Sequence, residues 1–163
     1  MHAILLSGHV ASGKTVVAQE LVSIAEERGI AVAAVDLDWL SWVTGATASH
    51  DELIARNLAA VAANYAAAGV TRIVASRALV GESQLRAIAR GLSGWELVVI
   101  ELEASYAVLE RRLRHRDIGR ELEHNLGHLA APFEHLPAAH RVRNEDRALR
   151  DVASDVWKLA GWA

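Results

Sequence analysis

Cysteine is absent from the 163-residue chain, and proline occurs only twice, at Pro132 and Pro137. The first absence excludes a disulfide framework and any thiolate metal centre. Neither charge sign dominates, since the formal net charge is -3. Bulk electrostatics therefore make no case for a nucleic-acid or membrane partner. No stretch approaches the roughly 20 apolar residues of a membrane span. The run Ala3 to Leu6 is too short for a signal-peptide core and lacks a basic flank. These absences set the expectation of a soluble, cytoplasmic protein. What is present is globular: 52% hydrophobic and 23% charged residues. The length suits one domain over 1–163 with a real core.

Short apolar runs alternate with amphipathic ones, and no internal repeat interrupts them. Strands are expected at Ala3 to Leu6, Ile30 to Asp36, Val70 to Ser76, Trp95 to Leu102 and Ala139 to Arg143. "IAVAAVD" is apolar at nearly every position, as strands covered on both faces are. Helices are expected from Lys14 to about Arg28, and from "SHDE", where Ser49 and Glu52 have capping-box spacing. The stripe of that second helix is Ile54, Leu58, Val61 and Tyr65, and Gly69 ends it. Further helices follow at 83–92, at 105–116 with Tyr106, Leu109 and Leu113 facing inward, and at 145–160. The alternation argues for an α/β fold with a parallel sheet covered on both sides. Ligands on such sheets bind at the carboxyl ends of the strands.

The first such end carries "GHVASGKT", in which Gly8, Gly13, Lys14 and Thr15 satisfy G-x-x-x-x-G-K-[ST] between a strand and a helix. The glycines let successive N–H groups point inward around anionic oxygens, and the helix adds its positive end. Lys14 is placed to reach the β- and γ-phosphates of a nucleotide, and the Thr15 hydroxyl to bind Mg²⁺. Phosphate binding is the expectation.

The second strand runs into "VDLDWLSW", so Asp36 and Asp38 reach the same ligand edge. One carboxylate beside a phosphate loop can support Mg²⁺, and another can take a proton from an attacking hydroxyl. Alternatively, one of them caps a helix beginning near Trp39. Trp39 and Trp42 either wall a substrate pocket or belong to the core. In "LERRLRHRDIGRE", Arg112 and Arg116 share a helix face, where like charges repel unless an anion visits. They suit a triphosphate; a solvated basic face offset by Glu110, Asp117 and Glu121 is the alternative.

On "GHVASGKT", "VDLD" and "LERRLRHRD", the chain resembles the nucleoside-monophosphate-kinase-like branch of P-loop kinases, the group including adenylate, shikimate, gluconate and adenylylsulfate kinases. "RVRNEDRALRDVASDVWKLAGW" extends the likeness to an adenine-side loop and a last helix. The resemblance implies a three-layer P-loop NTPase fold with a five-stranded parallel sheet in order 2-3-1-4-5, helices on both faces and a small helical lid. It places acceptor-covering helices at about 38–68 and the lid at about 116–138. ATP and Mg²⁺ are the implied cofactors and a small-molecule acceptor the implied partner. Gly8, Val10, Ala11, Ser12, Gly13, Lys14 and Thr15 would cradle the nucleotide, joined by Arg112 and by Arg143 on the adenine side. Lys14, Arg112 and Arg116 would steady the transferred group, Thr15 and Asp36 would serve Mg²⁺, and Asp38 would contact the acceptor and serve as its base.

There are departures from the pattern. The third strand ends "VASRAL" without a carboxylate, which leaves Mg²⁺ support to Asp36 and offers Arg77 as an anion contact. The guanine-reading N-K-x-D and a strand-terminal Asp-Glu pair are both missing. Asp38, Trp39, Trp42, Arg56 and Arg77 make up the candidate acceptor pocket, with Arg56 opposite the apolar stripe and nearer solvent. Glu121, His124 and His128 have helical spacing that could hold zinc, but a polar lid accounts for them without it. The alanine-rich helix at 58–68 suits close packing in a homodimer. The leading expectation is a small-molecule kinase that transfers the γ-phosphate of ATP to a hydroxyl or phosphate acceptor; the alternative is a nucleotide-binding module or ATPase acting through a partner protein.

Overall fold

The computed structural model describes residues 1–79, 81–131, 135–136 and 140–162. Each of the expected apolar runs forms a strand: β1 (His2–Ser7), β2 (Val32–Asp36), β3 (Arg72–Ser76), β4 (Glu96–Glu103) and β5 (His140–Arg143). They make one parallel sheet in the order β2-β3-β1-β4-β5. β1 sits at the centre, paired from His2↔Arg72 to Leu6↔Ser76 on one side and from His2↔Glu96 to Ser7↔Glu101 on the other.

Successive side chains of a strand point to opposite faces, so β1 divides its residues between two cores. Ile4 and Leu6 pack with Leu21 and Ile24 of α1 (Lys14–Glu27) and with Val152, Val156 and Trp157 of α7 (Leu149–Leu159). Ala3 and Leu5 pack with Ile54 and Leu58 of α3 (His50–Ala67) and with Ile88 of α4 (Glu82–Gly91). Both faces are thereby covered, which is why the strands read as continuous apolar runs. No helix among the described residues is long and apolar enough to cross a membrane.

α3 begins where the capping signal lies, with the Ser49 hydroxyl accepting from the Glu52 amide at 3.2 Å. Its Ile54 and Leu58 are fully buried, with Val61 and Tyr65 partly so. Between β2 and α3 lies the one-turn helix α2 (Leu37–Leu40), and Asp36 is its N-cap, accepting from the Asp38 amide at 3.0 Å. On the other side of β1, α5 (Tyr106–Arg116) and α6 (Gly119–Ala130) form an arm around Leu109, Leu113 and Leu129. Val10 and Ala11 of the glycine-flanked loop pack against this third cluster.

Two expectations need correction. Tyr106 does not face inward: it opens α5 and is 55% exposed, while Leu109 and Leu113 carry the buried stripe. The last helix begins at Leu149 rather than at 145, because the buried residues Asn144 and Glu145 are committed to loop contacts and Asp146 takes a positive φ of 53°. Part of the lid expected at about 116–138, including both prolines, lies outside the described residues, as does Ala139.

Candidate functional site

The loop between β1 and α1 is shaped by two residues that must be glycine. Gly8 has φ of 130° and a Cβ there would collide with the Leu102 carbonyl oxygen. Gly13 has φ of 96° and a Cβ there would run into the Asn144 side-chain amide. Both conformations suit glycine, and both close approaches exclude anything larger. Ala11, at φ of 61°, takes a left-handed conformation without that freedom.

Lys14 turns its ammonium into this loop, donating to the carbonyls of Gly8 and His9 at 2.9 Å each. Burial pushes its pKa down to about 8, against the pull of Asp38 and Asp36 and with the push of Arg116. Both aspartates and Arg116 therefore lie within electrostatic reach of Lys14. Thr15 stands exposed at the start of α1. A cavity of about 980 Å³ opens here, bordered by Lys14, Thr15, Arg112, Arg116, Asn144 and Arg147.

Arg112 and Arg116 both reach that cavity, and each is already engaged. Arg112 donates to the carbonyls of Ala11 at 3.2 Å and Asn144 at 2.7 Å. Arg116 forms a two-bond pair with buried Asp117, at 2.5 and 3.0 Å, and Asn125 holds the same carboxylate at 2.8 Å. These contacts explain how two arginines four apart coexist on one face. Arg143 stands elsewhere: it pairs with Glu145 and borders a second cavity of about 500 Å³, whereas Arg147 borders the loop cavity.

At the carboxyl ends of β2 and β3, Arg77 meets Asp38 at 3.1 Å and also donates to the Leu37 carbonyl at 3.4 Å and the Ser41 hydroxyl at 3.3 Å. Asp38 is open to solvent on one side, and its partial burial on the other raises its carboxyl pKa against the lowering pull of Arg77. Trp39 and Trp42 are not core. They stack on each other with centroids 4.9 Å apart, and Trp42 lies beyond the end of α2. Arg56 is on the exposed face of α3, 3.8 Å from Glu52.

Glu121, His124 and His128 do not gather into a metal site. His124 and His128 touch through their Nε2 atoms at 3.0 Å, yet the one group of potential ligands found among the described residues is Glu101, Glu103 and His135. There the fully buried Glu101 is held by His135 and by the Leu136 amide at 3.3 Å, with Arg141 3.4 Å from Glu103. Positive charge is thus already supplied to those carboxylates.

Three residues were missed in the sequence. Asn144 donates its side-chain amide to the Ser12 carbonyl at 2.7 Å, and its backbone amide bonds to Glu103 at 2.7 Å. Glu145 accepts the Ser105 amide at 2.6 Å at the start of α5, which, with Arg143, draws its carboxyl down to about 2. His9 accepts the Val10 amide at 2.8 Å and bonds to the backbone of Ala131, past the end of α6; burial lowers its pKa. "RVRNEDR" does carry a polar cluster after a strand, but nothing in the string says that it folds back onto residue 12.

No protein-family model matches the sequence, and no curated protein is significantly similar to it. Solved structures do match. The APS kinase of Mycobacterium tuberculosis in complex with AMPPNP and APS is 20% identical, over 97% of this chain and 96% of that one, with a TM-score of 0.70. A gluconokinase from Sinorhizobium meliloti 1021 is 21% identical over 99% and 92%, with a TM-score of 0.61. The tunicamycin resistance protein of Deinococcus radiodurans is 18% identical over 98% and 95%, with a TM-score of 0.64. The chain has the three-layer α/β fold that these structures share.

Proposed function

We propose that the protein is an ATP-dependent phosphotransferase that moves the γ-phosphoryl group of ATP to a hydroxyl of a small acceptor. The observation that carries this reading is Lys14 turned into the glycine-flanked loop after β1, with the Asp38–Arg77 pair at the carboxyl ends of the neighbouring strands β2 and β3. The residues present fit the nucleotide: two glycines leave the cradle that a Cβ would fill, and the cavity beside Lys14 is bordered by Arg112, Arg116 and Arg147. The Thr15 hydroxyl and the Asp36 carboxylate are hard oxygen donors of the kind Mg²⁺ takes. Bound there, Mg²⁺ would neutralise charge on the phosphates.

On this reading Lys14 leaves the loop carbonyls for the phosphate oxygens, and Arg112 and Arg116 balance the charge of the transferring group. Asp38 takes the proton of the acceptor hydroxyl as the new P–O bond forms and the bond to the ADP oxygen breaks. Its raised pKa suits that exchange. Arg77 keeps the carboxylate aimed. The α5–α6 arm, touching the loop through Val10, Ala11 and His9, serves as a lid that keeps water out.

A second reading, a nucleotide-binding module acting through a partner protein, is favoured by one feature: β3 ends at Ser76 and is followed by Arg77, without a carboxylate. The two separate in an assay of ADP formed from Mg-ATP, alone and with pools of nucleosides, sugars, hydroxy acids and antibiotics. A pool that raises turnover in the wild type but not in Lys14→Ala or Asp38→Asn supports the kinase. ATP binding with slow hydrolysis that no pool alters and Asp38→Asn does not change supports the module.

A further inference from the structure

Two tryptophans of this chain lie in the open beside the proposed base. Trp39 is 69% and Trp42 74% exposed, their planes 26° apart in a stack, and Val43 continues the apolar ground at 44%. Aromatic rings of this size bury most of their surface when packing is their only task. The backbone under them is pinned on three sides. Asp36 caps α2, the Asn57 side chain donates to the Leu40 carbonyl at 2.6 Å, and Arg77 reaches both Leu37 and Ser41. Trp39 follows Asp38 directly, so the one-turn helix that carries the proposed base also carries the first ring of the stack.

The charges here select among occupants. The groups that act on Asp38 are Arg77, Asp36 and Lys14. Lys14 belongs to the phosphates of the nucleotide, which leaves two carboxylates and one guanidinium on the acceptor side. That guanidinium already serves Asp38, Ser41 and a carbonyl, and Arg56 lies with Glu52. Among the described residues of this side, an acid or a phosphate ester would have to take Arg77 from the proposed base itself, whereas indole faces attract both ring faces and cations.

We infer that Trp39 and Trp42 form a stacking platform for the acceptor, which is a ring-bearing alcohol, neutral or cationic, and not a carboxylic acid or a phosphate monoester. This inference rests on the phosphotransferase reading for its geometry but is tested apart from it. The platform supplies affinity and orientation through the flat face of the ring, while Asp38 addresses the hydroxyl. It also withdraws the anion contact that the sequence suggested for Arg77.

The test follows indole fluorescence of the full chain during titration with nucleosides, aminoglycosides, gluconate and adenosine monophosphate, alongside ADP release from Mg-ATP. The expected result is a saturable fluorescence change with a nucleoside or an aminoglycoside. Trp39→Ala and Trp42→Ala each weaken that binding about tenfold, and Trp39→Phe and Trp42→Phe recover most of it. Affinity for AMPPNP, measured on the same samples, reports that the variants are folded. Ring binding without ADP release upholds the platform and removes the kinase reading. Phosphorylation of gluconate or the monophosphate, unchanged by the tryptophan variants, overturns the platform and leaves the kinase standing. Absence of binding by any ring compound overturns it too. So does a wild-type dimer in sedimentation that Trp42→Ala dissolves, since the patch would then belong to a second copy.

Discussion

Asn144 donates its side-chain amide to the carbonyl oxygen of Ser12 at 2.7 Å, joining the loop after β5 to the loop after β1. The same residue accepts Arg112 at its own carbonyl and lies over Gly13, where a Cβ would strike it. One buried side chain thus ties the glycine-flanked loop to the far edge of the sheet. Asn144→Ala leaves the Ser12 carbonyl without this donor, at a cost of about 1–3 kcal/mol. It is expected to lower the urea midpoint and to weaken AMPPNP binding about tenfold by calorimetry. Unchanged nucleotide affinity at normal stability would reduce Asn144 to a packing role.

On the proposed reading, Lys14 is expected to set the pH behaviour of nucleotide binding. Its pKa is about 8 in the free protein, below the ordinary 10.5. Adjacent phosphate favours the charged form, so binding at pH 8–9 takes up a proton. Calorimetry in buffers of different ionisation enthalpy should show that uptake, and Lys14→Met should abolish it along with most of the affinity. Stability carries the opposite signature. The unfolded chain holds the Lys14 proton more tightly, so its contribution to stability rises with pH from about 8 to 10.5. Lys14→Met should flatten this rise.

Arg77 lowers the pKa of Asp38 while partial burial raises it. Removing the guanidinium lets the carboxyl rise further. In Arg77→Gln, the acidic limb of kcat/KM is expected to move to higher pH. An acidic limb that stays in place means that Asp38 orients the acceptor without taking its proton.

Glu145 ties the start of α5 through the Ser105 amide, and its carboxyl is drawn from the ordinary 4.5 to about 2. The sign follows from that direction: the ionised form stabilises the fold above pH 4.5, and the contribution is lost as pH falls toward 2. Glu145→Gln should melt below the wild type at pH 7, with the difference in melting temperature closing through that window. A constant difference would place the carboxylate outside the linkage.

Gly91, in the last turn of α4, inverts a general rule. Alanine usually favours a helix over glycine by up to about 1 kcal/mol. Here a Cβ would lie 2.9 Å from the Ala55 carbonyl oxygen and 3.1 Å from the Leu58 Cβ, on the neighbouring helix α3. Gly91→Ala is expected to destabilise the protein. A melting temperature at or above wild type would show that α3 and α4 separate easily.

Much of the fold was legible in the string because its cause is local. Unbroken apolar runs report strands covered on both faces, the Ile54–Leu58 spacing reports a helix with one buried side, and Ser49 before Glu52 marks where that helix begins. Lys14 and Thr15 could be found for the same reason, since the loop between two glycines is a continuous segment. Tyr106 was misread because helical period alone does not say which of two flanking positions the neighbouring element covers.

The amino-acid sequence by itself determined the α/β alternation, the glycine-flanked loop and the presence of two aspartates at the second strand's end. Each is written in consecutive residues, and period, capping and backbone freedom act over a few positions. Only the tertiary structure decided what those residues meet. It set Arg77 against Asp38, brought Asn144 to Ser12, gave Arg116 to Asp117, and left Trp39 and Trp42 in the open. Most of these outcomes join segments far apart in the chain, and their geometry follows from the order in which parallel strands assemble. No local pattern of side chains encodes that order.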